Sequence, residues 1–306
     1  RVALRQKGAG ADLLAMTATP IPRTLALTLY GDVQCSRIRT RPRPGAGVAT
    51  RCIAPENRDL AYGAIRDAVA AGHQAYVICP LVDDRDEGEE LDDVPEGSRS
   101  GASVIHSVAT TAKDLSRRVF SEMSVDVLTG KMSPQEKDGA MERFRSGKTD
   151  VLVSTTVVEV GVDVPNATVM LVFDADRFGL ATLHQLRGRV GRGDVAGEVF
   201  LECAAKRSTP ARKRLAALEA TSDGFELAEL DLRLRHEGEV LGYRQHGGVS
   251  LRVSDLVADA DLVEAAHDDA ALIVGRDPSL CSATLVPLSY EVTDRFGAYF
   301  EEVERA

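Results

Sequence analysis

Short apolar runs recur through the middle of this chain, most of them separated by segments long enough to be helices, and that rhythm leaves few folds open. The runs at residues 76–81, 125–128, 151–154, 168–173 and 198–203 are strand-length and apolar at nearly every position. That is the composition of strands buried on both faces. Residues 58–71 and 111–122 carry helical patterns, the first ending at Gly72. A third helix begins at Ser133, with Pro134 in its first turn and Glu136 completing a capping box, and ends at Gly147. Strands joined by helices of this length pair in parallel through crossover connections. The pattern predicts an α/β lobe over about residues 48–204.

The flanks read differently. Residues 13–16 form a short apolar run, expected to be a strand leading into a loop, and residues 23–30 suit a helix. Pro42, Pro44, Gly45 and Gly47, with Arg37, Arg39, Arg41 and Arg43 interleaved, mark a linker. Residues 83–103 are acidic and rich in Gly and Ser, the composition of a solvated loop. Beyond Pro210, residues 212–220, 225–235 and 253–273 are helical in pattern, interrupted by Gly238, Gly242, Gly247 and Gly248. Three segments are therefore expected: 1–40, 41–205 and 206–306.

Composition excludes several classes. No stretch of about 18 apolar residues exists, so no transmembrane helix is expected, and residues 1–12 lack the apolar core of a signal peptide. Five cysteines with no C-x-x-C pair argue against zinc and against a disulfide framework, and point to a reducing cytosol. The net charge of −10 argues against nucleic-acid binding only if charge is spread evenly. It is not: residues 83–96 hold nine acids against Arg85, while residues 177–214 hold nine Lys/Arg against Asp194, Glu198 and Glu202. A local basic stripe of this kind can meet a phosphate backbone.

The run Leu183-His-Gln-Leu-Arg-Gly-Arg-Val-Gly-Arg-Gly193 sets Gln185, Arg187, Arg189 and Arg192 among glycines within eight residues. Hydrolysis of a nucleotide needs fixed positive charge at the γ-phosphate, and the planar, permanently charged guanidinium suits it. The glycines allow close backbone approach. Upstream, Val151-Leu-Val-Ser-Thr-Thr-Val-Val-Glu-Val-Gly-Val-Asp-Val-Pro165 places Thr155 and Thr156 at the carboxyl end of a buried strand, where open α/β sheets bind ligands.

These two runs resemble motifs VI and V of superfamily 2 helicases. Thr17-Ala-Thr19 with Pro20-Ile-Pro-Arg-Thr24 resembles motif III and its extension. The segment 231–247, Asp-Leu-Arg-Leu-Arg-His-Glu-Gly-Glu-Val-Leu-Gly-Tyr-Arg-Gln-His-Gly, resembles the translocation motif of the RecG/Mfd-like DNA translocases. The resemblance covers residues 13 to about 271. It implies a RecA-like parallel-sheet lobe, the helicase C-terminal domain, followed by a mainly helical translocation hairpin and a C-terminal subdomain. It also implies use of ATP with Mg²⁺ and movement on double-stranded and branched DNA, forks and Holliday junctions included.

Residue by residue, the resemblance makes Arg189, Arg192 and Gln185 catalytic, with Arg192 as arginine finger, and sets Asp163 and Gly161 beside the nucleotide. Thr17, Thr19, Arg23, Thr155, Thr156, Lys131, Arg214, Arg235 and Gln245 fall on DNA contact or coupling. Arg212 and Lys213 compete with Arg214 in register, and Lys131 reads equally well as a surface lysine. Thr129 stands where the family carries His, and His236-Glu237 departs from the family's loop. The implied setting is the bacterial cytoplasm and nucleoid, as a monomer without membrane attachment, with single-stranded DNA-binding protein as a further partner. Two other readings stay open: a transcription-repair coupling translocase partnered by RNA polymerase, and a non-enzymatic DNA- or protein-binding lobe, whose binding a salt titration would classify as phosphate-driven or apolar.

No Gly-x-x-x-x-Gly-Lys-[Ser/Thr] phosphate loop and no Asp-Glu-x-His or Asp-Glu-x-Gln box occurs in these 306 residues. The family carries both in its first lobe, so residues 1–40 are expected to be the end of that lobe. Without a phosphate cradle or Mg²⁺ carboxylates, the isolated 306-residue chain is expected to release no phosphate from ATP, with or without branched DNA. A coupled ATPase assay checks this, and turnover clearly above a phosphate-loop-deficient helicase control would contradict it.

Overall fold

The computed structural model describes residues 14, 16, 36, 38, 46–80, 106–159, 164–205, 209–234 and 259–305. The chain divides into two compact units. One is Ile38–Asp231, and the other combines Arg1–Arg37 with Leu232–Ala306.

The first unit is built on six strands: β1 (Val48–Ile53), β2 (Gln74–Ile78), β3 (Val125–Leu128), β4 (Val151–Ser154), β5 (Ala167–Val172) and β6 (Gly197–Glu202). They form one sheet in the order β1-β6-β5-β2-β4-β3, and every neighbouring pair is parallel. Strands β2, β4 and β5 are buried at every position, as their unbroken apolar sequences required.

Because side chains alternate across a strand, burial on both sides demands two cores. On one face Tyr76, Leu152, Met170 and Leu201 pack with helices α3 (Pro134–Arg145), α4 (Leu180–Arg187), α5 (Pro210–Ala220) and the start of α6 (Gly224–Leu234), through Phe144, Leu183, Leu215 and Leu227. On the other face Ala75, Val77, Val153 and Leu171 pack with α1 (Arg58–Ala70) and α2 (Val108–Asp114), through Ile65, Val108 and Ala112. This is the RecA-like three-layer α/β lobe that the sequence predicted.

Local chemistry sets the helix ends. The capping box of α3 is complete: the Ser133 hydroxyl accepts from the Glu136 amide, and the Glu136 carboxylate accepts from the Ser133 amide at 2.8 Å. That hydrogen bonding holds the exposed Glu136 carboxyl below its ordinary range. Gly147 terminates the segment in the left-handed region at φ 72.

Several expectations need adjustment. The lobe extends to Asp231 rather than residue 205, because Leu215, Leu218 and Leu227 are buried in the same core as the sheet. Strand β1 was not anticipated, since its alternating partly exposed positions lack the long apolar run of the inner strands. It is an edge strand, and Glu219 of α5 accepts a hydrogen bond from the Cys52 amide at 2.5 Å, satisfying part of an edge that could otherwise pair with another chain. The helix after residue 111 begins at Val108 and finishes in a π turn, Leu115–Val119. Leu14 and Met16, in the expected first strand, are exposed and outside regular structure, and no strand among the described residues pairs with them. The expected helix 23–30 and acidic loop 83–103 lie outside the described residues.

In the second unit the described elements are two helices, α7 (Ala260–Arg276) and α8 (Val286–Arg305). The first starts later than residue 253, and the second lies where the sequence pattern was weak. Among the described residues no helix is long and apolar enough to cross a membrane.

The buried amide of Gln74 ties the start of β2 to the segment after α3. Its Nε2 donates to the carbonyls of Phe144 and Thr149, the latter at 2.7 Å, and its Oε1 accepts from Asn166 at 3.2 Å. Gln74→Leu keeps the volume but removes both donated bonds from the core, although the Phe144 carbonyl keeps its bond from the Gly147 amide at 3.1 Å. A loss of about 2–3 kcal/mol is expected, read as a lower urea midpoint with unchanged slope.

Candidate functional site

Strands β3, β4 and β2 lie side by side, with Leu128 and Ile78 both in register with Ser154. The turns leaving β3 and β4 therefore emerge together at the carboxyl edge. The Ser154 hydroxyl donates to the Leu128 carbonyl at 2.6 Å and fixes the two strand ends. The turn after β3 carries Thr129, Gly130 and exposed Lys131. A Cβ at Gly130 would lie 3.7 Å from Val157, so this turn packs against the one after β4. There Thr155 is buried and half-buried Thr156 opens the short 3₁₀ segment Thr156–Glu159. The structure thus brings Lys131, Thr155 and Thr156 to one edge.

The chain leaves that edge and must reach the start of β5, at the opposite edge, because β4 and β5 both run parallel to β2 between them. It arrives at Pro165. Helix α4 makes the equivalent journey from the end of β5 to the start of β6, packing against Thr156–Glu159 on the way. Leu183, Leu186 and Val158 are buried in one core. Thr156–Glu159 and α4 are therefore neighbours on the same face of the sheet.

At the far end α4 stops at Gly188, and a turn carries the arginines. Gly191 has φ 67, and a Cβ there would meet the Gly47 carbonyl oxygen at 2.8 Å and the Gly197 amide nitrogen at 2.9 Å. A Cβ at Gly193 would meet the Pro165 carbonyl oxygen at 3.1 Å. The glycines are needed because backbone from the starts of β1, β5 and β6 converges on this turn. Gln185 and Arg189 are half-buried, while Arg192 is exposed and its Nε donates to the Gly188 carbonyl at 2.6 Å. That bond holds the turn while the rest of the side chain faces outward. Gly161, Asp163, Thr17, Thr19, Arg23, Arg235 and Gln245 lie outside the described residues.

Two arginines are not where a surface reading would put them. Arg214 is 2% exposed and donates to the Asp176 carbonyl at 3.2 Å. A guanidinium so enclosed holds α5 against the lobe and has no surface to offer a DNA phosphate, so any coupling role must act through packing. Arg187 is also buried, its Nη1 donating to the carbonyls of Leu218 and Thr221 at 2.8 and 2.7 Å. Its partners are backbone oxygens 31 and 34 residues away, which no motif encodes.

A second polar cluster, also unforeseen, joins α1 to β5 and β6. Arg58 grips Glu202 with two bonds of 2.5 and 2.7 Å. It also meets His106 Nε2 at 3.2 Å, and His106 Nδ1 lies 2.9 Å from Asp174. His106 and Arg58 both lie on the Phe173 ring. Arginine only donates, so Nε2 accepts and Nδ1 carries the proton. Asp174 sits in the left-handed region at φ 48. Burial raises its carboxyl, but the side-chain and backbone hydrogen bonds from His106 outweigh this and hold it below the ordinary range. The ligand atoms of His106, Asp174 and Glu202 lie within 4.8 Å of one another. Both ring nitrogens and the Glu202 carboxylate are already engaged, however, and the Arg58 guanidinium bonds both His106 and Glu202. The chemistry is that of a structural clamp, not a cation cradle.

The described cysteines are free thiols. Burial is the chief cause that pushes Cys52 and Cys79 up to about 12 and Cys203 to about 11, so none of these three supplies a thiolate near neutral pH.

Comparison with known proteins agrees with this arrangement. Residues 89–194 match the helicase conserved C-terminal domain, and residues 221–286 match the C-terminal part of domain 3 of the ATP-dependent DNA helicase RecG. RecG of Mycobacterium bovis is 44% identical over 292 residues, covering 92% of this chain and 38% of the relative. RecG of Synechocystis is 42% identical over 280 residues, covering 92% of this chain and 32% of the relative. A solved structure of RecG bound to a three-way DNA junction superposes with a TM-score of 0.60 at 36% identity, covering 84% of this chain and 31% of that one. The chain thus spans about a third of the length of the curated relatives it matches.

The glycine requirement is directly testable. Gly191→Ala is expected to cost about 2–3 kcal/mol through strain and backbone overlap. Gly63→Ala, in α1 where a Cβ meets nothing within 4 Å, is expected to gain up to about 1 kcal/mol. Thermal melts of the two variants should move in opposite directions.

Proposed function

We propose that the chain belongs to the RecG family of ATP-dependent DNA helicases and is the second motor lobe and coupling hairpin of a translocase on double-stranded DNA. The parent protein would use ATP hydrolysis to remodel stalled forks and Holliday junctions in recombination and repair. The observation that carries this is the packing of Thr156–Glu159, beside the Thr155–Thr156 edge, against α4, which leads into the exposed Arg192 turn. A lobe so built can hold DNA phosphates at one end and answer to a nucleotide at the other.

In this reading Lys131, Thr155 and Thr156 contact the DNA backbone, where hydroxyls and a lysine position without reading sequence. Arg192 and Arg189 face the γ-phosphate, Gln185 orients the reacting groups, and Asp163 and Gly161 line the nucleotide. Mg²⁺ bound with ATP would supply charge neutralisation at the phosphates. Its ligands are sought on the opposing lobe, since neither phosphate-loop nor Asp-Glu box residues occur in this chain. Thr17, Thr19, Arg23, Arg235 and Gln245 complete the DNA-facing and coupling set by family position. Branched DNA as the substrate is supported by the junction-bound RecG structure. The family's setting adds single-stranded DNA-binding protein as a partner, a monomeric state, and the bacterial cytoplasm and nucleoid as location. The RecG matches favour this over the polymerase-coupled branch.

Arg192→Ala in the full-length protein is expected to reduce DNA-stimulated ATP turnover by about 10³-fold or more. Junction affinity in a gel-shift assay should change by no more than a few fold. Retained turnover would remove Arg192 from the nucleotide site and the assignment with it.

A further inference from the structure

Helix α5 ends at Ala220, and its last carbonyls have no partner within the helix. Arg187 supplies one. From the last turn of α4, one residue before Gly188, it caps Leu218 and Thr221 with a single buried nitrogen, while its other terminal nitrogen meets His184 Nδ1 at 2.8 Å. A cation at a helix carboxyl end also opposes the helix dipole favourably.

The turn receiving these bonds is itself braced. The Asp223 amide donates to the Thr221 hydroxyl at 3.0 Å, and the Phe225 amide donates to the Asp223 carboxylate at 2.7 Å. Phe225 lies in the first turn of α6, whose Leu227 is buried in the core. A rigid path therefore runs from the base of the arginine turn, through one guanidinium, into the α5–α6 hairpin.

We propose that Arg187 is a positioning residue that couples the arginine turn Gly188–Gly193 to the α5–α6 hairpin, so that displacement of one displaces the other. Buried as it is, Arg187 does not face the nucleotide. It transmits the position of Arg189 and Arg192, its close neighbours in sequence. The proposal rests on the motor reading above and deepens it by naming the link between hydrolysis and DNA movement.

The test uses the full-length protein carrying Arg187→Ala or Arg187→Lys, with Arg192→Ala in parallel. ATP turnover on duplex DNA and displacement of a third strand from a triplex are measured together, and displacement per ATP is compared. Loss of two buried charged hydrogen bonds in Arg187→Ala is expected to lower displacement per ATP by about tenfold or more, with turnover within about threefold of the parent. Arg187→Lys, which can reach one carbonyl, should recover part of the loss, and it supplies the test alone if the alanine variant does not fold.

A parallel fall of displacement and turnover, leaving their ratio unchanged, would overturn the coupling role, as would full displacement in both variants. Those outcomes leave the motor reading standing provided Arg192→Ala abolishes turnover. If Arg192→Ala turns over normally, the motor reading itself fails.

Discussion

Two-sided burial of a parallel sheet governs nearly everything in this lobe. Strands paired in parallel cannot be joined by tight turns, so each connection must cross the full height of the sheet. With strands of four to six residues, that height is roughly 13–20 Å at about 3.3 Å per residue. Thr156–Glu159 and helix α4 belong to two such connections, and they lie against one another. A geometric necessity of the fold thereby joins two distant edges through one packed layer. Packed cores transmit displacement because they resist compression.

The inner strands and the capped helices were legible in the sequence because their signals are local. Apolar runs identify β2, β4 and β5, and Ser133, Pro134 and Glu136 identify the start of α3. Strand β1 was not legible. Its half-exposed positions resemble a loop until β6, some 150 residues later, supplies a partner. The motifs picked Thr155, Thr156 and the arginine turn, which the structure sets at the carboxyl edge of the sheet and at the end of α4. They could not distinguish Arg187 and Arg214 from Arg192, since all are arginines in a basic stretch. Burial separates them, and burial is decided by backbone oxygens on α5 and the Ala175–Arg177 turn. The clamp of Arg58, His106, Asp174 and Glu202 was invisible for the same reason: its members come from four separate parts of the chain.

The arginines consequently divide by surroundings rather than by spacing. Arg187 and Arg214 are enclosed, their charge spent on carbonyl groups of the fold. Arg58 is committed to Glu202. Arg192 keeps an exposed face. A basic stripe counted from the sequence therefore overstates the positive surface available to a polyanion, and the field outside the lobe is set by fewer cations than the count implies.

The bond from the Cys52 amide to Glu219 spans 167 residues, and β1 itself pairs only with β6 among the described strands. During synthesis the first strand of the lobe must wait for almost the whole lobe to emerge before its partner and then its edge cover exist. Long-range parallel pairing of this kind is slow to form and leaves edges open meanwhile. The arrival of α5 is thus also the event that closes the nascent lobe against pairing with other chains, and the same helix is the final latch of its folding.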